Sequence, residues 1–339
     1  MLELIDAAVA DGWDHRRACA YLELGEGRAW RWGERLRLGL SLEDAVSGGH
    51  AVHAITPAEE RAILSVFETH QDTDRSHRKL AHRGSYEGLV WVSESTVRRV
   101  LAKHELRIRL PRRAGRSERA PFPEWASYER HSIWIYDTTR FARCKHTYVT
   151  MIMDLVTRKW ICEIVSAEET GLQVQLAFTH ALELEGLLDQ VDEHQRRLAD
   201  PTVDDPTRPV LLAVSDNGPQ MTSGSTREFL AMCAIAQHFG RPGTPTDQAW
   251  IESLFSHIKA DWPHLDAIRD PAVLRAELAT VRHQYNTRRL HAGIGYVTPD
   301  DEHEGRGPAI RQARRAGLAR ARRLRIAYHR AQRHPEALA

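Results

Sequence analysis

The sequence predicts an α/β core preceded by small helical modules. Two observations predict the core. First, three runs rich in β-branched and aromatic residues follow one another closely: Ser132 to Asp137, Tyr148 to Met153 and Trp160 to Val165. Runs of this length bounded by turn residues read as strands, and three in succession suggest an antiparallel meander. Second, the five apolar residues Val210 to Val214 stop at Ser215-Asp216-Asn217-Gly218-Pro219, as a buried strand ends at a turn. A third observation predicts the modules in front: before residue 107 the helix signals dominate.

The first module covers residues 1–47. Ile5, Ala8 and Val9 begin an amphipathic helix that Asp11-Gly12 breaks, and a second helix runs from Asp14 to Leu22. Gly25-Glu26-Gly27 forms a turn, and Arg28 to Leu36 is a third helix that carries Arg28, Arg31 and Arg35. Helix, turn and basic helix is the layout of a helix-turn-helix, which sets its second helix in the DNA major groove.

A second helix-turn-helix-like module covers residues 54–106. Thr56-Pro57 followed by acids is a helix start: a threonine N-cap, a proline in the first turn and acidic residues against the helix dipole. A short helix lies over 76–82, and a third runs from Ser93 to about His104. On that third helix Val97, Val100 and Leu101 face a core, and Arg98 and Arg99 point the other way. Residues 107–125 form a linker rich in Arg, Pro and Gly that includes Arg112 and Arg113. Such a run buries no core, and it suits an arm that tracks phosphates.

The core is expected over 126–265. After the three strands comes a long helix from Glu168 to Leu188, then the strand that runs into Asp216. A helix from about Ser225 to Cys233 and a short strand from Ala234 to Phe239 follow. Ile251, Leu254, Phe255 and Ile258 recur at i, i+3, i+4, i+7, so a last amphipathic helix carries Glu252 near its start and Lys259 two turns on. Asp216 sits at the carboxyl end of a central strand, where open α/β sheets place their chemistry. Alternation in the first strand puts Ile133, Ile135 and Asp137 on one side, and Trp134 and Tyr136 on the other. Residues 266–339 form a helical, basic C-terminal region: a helix from Pro271 to Arg288, a loop, and an arginine-rich stretch from Pro308 to Arg333.

Thirty-five residues separate Asp216 from Glu252. With Asp137 upstream, this trio resembles that of the DDE transposases and retroviral integrases. The surrounding words carry the resemblance further: Ser215-Asp216-Asn217-Gly218-Pro219-Gln220, Arg241-Pro242-Gly243-Thr244-Pro245-Thr246-Asp247-Gln248-Ala249 and Ile251-Glu252-Ser253-Leu254-Phe255. So do Tyr285-Asn286, Arg289-Leu290-His291 and Gly295-Tyr296-Val297-Thr298-Pro299. Over residues 125–335 the chain resembles the integrase-type transposases of bacterial insertion sequences.

The resemblance implies a ribonuclease H-like core, a mixed five-stranded sheet with flanking helices. It implies that Asp137, Asp216 and Glu252 bind two Mg²⁺ or Mn²⁺ ions. Oxygen-rich carboxylate sites suit these ions, and a metal pair can serve both the attacking and the leaving oxygen of a phosphodiester. The reaction implied is cleavage at the ends of an insertion sequence and strand transfer into target DNA, with Lys259 and Arg241 holding phosphates. The implied partners are the terminal inverted repeats, target DNA and at least one further copy of the chain. Two other readings stay open: a domesticated regulator that binds DNA without cutting it, and a nuclease that only hydrolyses. The complete acidic trio argues against the first, and the two front modules argue against the second.

Composition agrees with a globular protein: 42% of residues are hydrophobic and 27% charged. Net charge is only +1, yet five of the 47 basic residues are lysines, which leaves 42 arginines, the side chain that grips phosphate in bidentate fashion. No apolar run reaches the ~18 residues of a membrane span, and the start lacks the pattern of a secretory signal, so a bacterial cytoplasmic, nucleoid-associated location is expected. The four cysteines, Cys19, Cys144, Cys162 and Cys233, make no C-x-x-C pair, so neither a zinc ribbon nor a disulfide framework is expected. No Gly-x-x-x-x-Gly-Lys-Ser/Thr loop occurs, so no use of ATP is expected.

Overall fold

The computed structural model describes residues 1–39, 51–106, 125–200, 208–239 and 255–333, together with positions 42, 108, 122, 123 and 202. The chain forms two compact units, Met1–Ala54 and Ile55–Ala339.

The first unit holds three helices, α1 (Leu2–Ala10), α2 (His15–Tyr21) and α3 (Glu26–Arg37). Asp14 caps α2 by accepting from the Arg17 amide, and Ile5, Ala18, Cys19, Leu24 and Ala29 make a small apolar centre.

The second unit begins with α4 (Pro57–His70), α5 (His77–Tyr86) and α6 (Glu94–Lys103). Thr56 and Glu59 form a reciprocal capping box at the start of α4, which satisfies two orphan donors at once. Ser76 and Ser93 cap α5 and α6 in the same way from one side. Ile63, Val66, Leu80, Val97 and Leu101 form the core of these three helices.

A five-stranded sheet follows, of order β3-β2-β1-β4-β5. Its strands are β1 (Ile133–Thr139), β2 (Tyr148–Asp154), β3 (Trp160–Ser166), β4 (Leu211–Ser215) and β5 (Ile235–Phe239). The first three make the expected antiparallel meander, and β4 and β5 run parallel to β1. Trp134 and Tyr136 lie on one face with α7 (Gly171–Leu184), α8 (Leu188–Ala199), α9 (Pro219–Thr222) and α10 (Gly224–Met232). Ile133, Ile135, Leu212 and Val214 lie on the other face. There they pack under Phe255 and Ile258 of α11 (residues 255–261) and Leu274, Leu278, Val281 and Tyr285 of α12 (Pro271–Arg288). Two buried faces explain why these strands read as nearly continuous apolar runs.

One expectation needs correction. The single helix over Glu168 to Leu188 is in fact α7 ending at Leu184 and a separate α8. Gly186 takes φ +65, and the Leu187 amide donates back to the Leu182 carbonyl at 2.9 Å, closing α7 with a glycine left-handed cap.

The sheet's β3 edge is covered by side chains of α12. Arg275 donates to the Val165 carbonyl at 3.2 Å and Arg282 to the Ile161 carbonyl at 2.9 Å. Asn286, buried, accepts the Trp160 amide at 2.9 Å and donates to the Trp160 carbonyl at 2.8 Å. An exposed edge is a template for pairing with another chain, and these contacts occupy it.

The chain ends in α13 (Pro299–His303) and the 27-residue α14 (Gly307–Arg333). Arg314 donates to the Ala81 and Val92 carbonyls and the Ser85 hydroxyl, at 2.8, 3.1 and 2.7 Å. Arg325 binds the Glu59 carboxylate and the Trp91 carbonyl, and Arg311 binds Glu302 and the Ile294 carbonyl. Three of the arginines therefore fasten α14 to its own chain.

Candidate active site

Asp137 lies near the end of β1, and Asp216 directly follows β4. The two strands are parallel neighbours, with Ile133 opposite Leu212 and Ile135 opposite Val214. Continuing that register by two residues sets Asp137 level with Asp216, on strands about 4.8 Å apart. By the same alternation both carboxylates share the face that α11 and α12 cover. Both side chains are half-buried.

Each carboxylate is oriented by local backbone. The Thr138 amide donates to Asp137 Oδ1 at 2.7 Å. The Gly218 amide donates to Asp216 Oδ1 at 2.9 Å. Gly218 lets the backbone come close to the carboxylate: a Cβ there would stand 3.0 Å from Asp216 Oδ1 and 2.9 Å from Gln220 Nε2, so these side chains would have to shift. Beneath the pair, burial pushes the Tyr136 phenol up in pKa, and the negative charge of Asp216 adds to that, while hydrogen bonds with Ser215 and Gln237 oppose it. Two level carboxylates with anchored oxygens form a hard, oxygen-only donor set, which fits Mg²⁺ or Mn²⁺ and not a thiophilic ion.

Two integrase core domain models match the chain, over residues 127–245 and 233–299. Residues 127–299 thus carry an integrase core domain. The transposase for insertion sequence element IS904 of Lactococcus lactis is 28% identical over 95 residues, which are 28% of this chain and 38% of that relative. The chain thus matches well under half of that relative's length. Among solved structures, the catalytic core domain of BIV integrase is similar with a TM-score of 0.36 at 20% identity, covering 53% of this chain and 97% of that one. A simian T-cell lymphotropic virus intasome in complex with PP2A regulatory subunit B56 gamma gives a TM-score of 0.37 at 16% identity, covering 71% and 73%.

At the rim of the integrase core site, Lys259 of α11 donates to Thr139 Oγ1 at 3.1 Å and to the Arg140 carbonyl at 2.8 Å. Its ammonium also lies 5.4 Å from the centre of the Phe141 ring. The residues just past Asp137 therefore already engage Lys259. Glu252, Arg241, Arg112 and Arg113 lie outside the described residues. Arg98 and Arg99 are exposed on α6, opposite the buried Val97, Val100 and Leu101. In the first unit Arg28 and Arg31 are exposed on α3 and Arg35 is half-buried; Arg28 stacks over Trp32 at 5.5 Å.

The sequence reading missed a polar bridge beside the site. Arg140 pairs with Glu169 at 3.1 Å, and Glu169 accepts from Gln220 at 3.2 Å. This joins the end of β1 to the turn after β4. Gln220 stood inside a motif already singled out, but no spacing signal connects Glu169 to it.

Among the described residues no helix is long and apolar enough to cross a membrane.

Proposed function

We propose that this chain is a DNA transposase that cleaves at insertion-sequence ends and transfers the freed strands, with Asp137, Asp216 and Glu252 as its catalytic carboxylates. The observation that carries the reading is the level placement of Asp137 and Asp216 on adjacent parallel strands, within an integrase core domain. Asp137, Asp216 and Glu252 would hold two Mg²⁺ or Mn²⁺ ions, which when bound would supply an activated water or 3′-hydroxyl and a stabilised leaving oxygen. Thr138 and Gly218 hold the Asp137 and Asp216 oxygens in advance, so that little reorganisation is needed when a phosphodiester arrives. Lys259 and Arg241 steady phosphates beside the carboxylates. No tyrosine nucleophile is involved.

The helical modules read DNA in this proposal: α3 through Arg28, Arg31 and Arg35, and α6 through Arg98 and Arg99, with Arg112 and Arg113 on the arm that leads into the core. Exposed Arg315, Arg320, Arg322 and Arg323 of α14 add phosphate contacts. The partners are terminal inverted repeats and target DNA. Joining two ends calls for at least a dimer, and neither a membrane nor ATP takes part.

The test is a joining assay on the DNA that flanks the gene, with Mg²⁺ or Mn²⁺. Asp216→Asn and Glu252→Gln should each abolish strand transfer and leave end binding intact. Full joining by either variant ends the proposal. End binding without any joining by the unaltered protein would favour the non-cleaving regulator.

A further inference from the structure

A second cluster of ligand-type side chains stands at the opposite end of the sheet. Asp154 pairs with Trp134, so β2 ends where β1 begins. His131, just before β1, is six residues from Asp137, roughly 20 Å along an extended chain. One ligand-type atom from each of His131, Glu185 and His303 lies within 4.8 Å of the other two. The elements that supply them are distant in sequence: the approach to β1, the end of α7 and the end of α13.

The geometry is that of ligands around a small ion. His303 Nε2 lies 2.7 Å and His131 Nδ1 3.8 Å from Glu185 Oε2. Donors at zinc-like bond lengths around a tetrahedral centre stand about 3.4 Å apart, between those two separations. The side chains are 17%, 6% and 5% exposed for His131, Glu185 and His303. His131 Nδ1 is buried and has no hydrogen-bond partner, although it faces a carboxylate oxygen. A buried polar atom left unpaired in this way costs free energy and calls for a ligand.

The surroundings fix each donor. Glu185 Oε1, the other carboxylate oxygen, takes Lys159 Nζ at 2.9 Å, which leaves Oε2 for the cluster. His303 Nδ1 lies 3.0 Å from Thr157 Oγ1. His303 Nε2 hydrogen-bonds Glu185 Oε2 at 2.7 Å; with an ion bound, the Thr157 hydroxyl would accept Nδ1–H and the Nε2 lone pair would turn to the metal. His131 takes the left-handed φ of +68, and Asp154 Oδ2 holds it there by accepting its amide at 2.8 Å. This left-handed turn sets the direction in which the imidazole leaves the backbone, toward Glu185. Outer contacts of this kind orient metal ligands in general.

We propose that His131, Glu185 and His303 bind one zinc-class transition-metal ion, with water in the fourth position. Two imidazoles and one carboxylate suit such an ion and not Mg²⁺. The ion clamps the start of β1, α7 and α13 together. This site stands apart from the acidic pair at the other end of the sheet, and the proposal holds whether or not the chain is a transposase.

The test uses the full chain, stripped with chelator and titrated with zinc chloride. One zinc per chain should remain after gel filtration, by elemental analysis. The melting temperature should rise by a few degrees, and cobalt(II) in place of zinc should give the visible absorption of a tetrahedral site. His131→Gln is the decisive variant, because His131 Nδ1 has no hydrogen bond to lose on substitution. It should fold, bind zinc at least about tenfold more weakly and lose the cobalt bands. His303→Gln should do the same where it folds. No retained zinc in the unaltered protein, or zinc and cobalt binding by His131→Gln equal to it, overturns the proposal.

Discussion

Asn286 is expected to be worth more to stability than a single polar side chain near the end of α12 suggests. Its amide lies against β3 as a further strand would, with Oδ1 taking the Trp160 N–H and Nδ2 giving to the Trp160 carbonyl. The assignment of oxygen and nitrogen is forced, because a backbone N–H can only donate. Asn286→Ala leaves both backbone groups buried and unpaired. Each such group costs ~1–3 kcal/mol, so the variant should lose roughly 2–6 kcal/mol, a large share of the 5–15 kcal/mol typical of a domain. At roughly 2 °C per kcal/mol for a unit of this size, the melting temperature should fall by about 4–12 °C. Urea unfolding followed by tryptophan fluorescence measures this directly, since Trp160 is fully buried with its ring 6.0 Å from Tyr285. Asn286→Asp should not rescue, because it keeps the acceptor, loses the donor and sets a charge against a carbonyl. A loss under about 1 kcal/mol in Asn286→Ala would refute the reasoning, since water would then be satisfying the edge as well as the side chain does.

Three further outcomes are expected. Gly218→Ala should displace the Asp216 carboxylate and cut strand joining by about tenfold to hundredfold, with a melting temperature close to that of the unaltered protein; unchanged joining would show that the close approach is immaterial. Arg314→Ala should cost about 2–4 kcal/mol and raise amide hydrogen exchange across 77–92 more than in the sheet, and equal protection in both proteins would count against the anchoring role. Lys79, half-buried, has its pKa held down to about 8 by burial and by repulsion from Arg289. The unfolded chain therefore binds more protons than the folded one between about pH 8 and 10.5, and stability from this group rises with pH across that window. Lys79→Met should melt higher than the unaltered protein at pH 7.5, and the gap should close toward pH 10.5; a gap independent of pH would rule the charge out as its cause.

The strands were legible because both sheet faces are buried, so Ile133 to Tyr136 and Val210 to Val214 read as plain apolar runs. The helix starts at Thr56, Ser76 and Ser93 were legible for a local reason, since a cap is written within four residues. Gly186 hid its role: a glycine inside a helical pattern costs little, and only the backbone shows that it stops α7. Alternation placed Asp137 on the face of Ile133 and Ile135, and a turn placed Asp216 at a strand end, whereas their sharing a face and standing level depend on a parallel register that spacing does not encode. The bridge through Glu169 and the cluster at His131 were illegible, because each joins residues whose separation along the chain carries no periodic signal. The same holds for α14, whose arginines look alike in sequence and differ only in what they touch.

That last difference has an electrostatic consequence. DNA binding gains free energy by releasing condensed counterions, and only a guanidinium that reaches a phosphate contributes. Nine arginines lie in α14, and Arg311, Arg314 and Arg325 are already bonded to carbonyls or carboxylates of the chain. At most six remain, so any DNA lying along this helix can add a slope of at most about −5 in log affinity against log salt, where the full nine would give about −8.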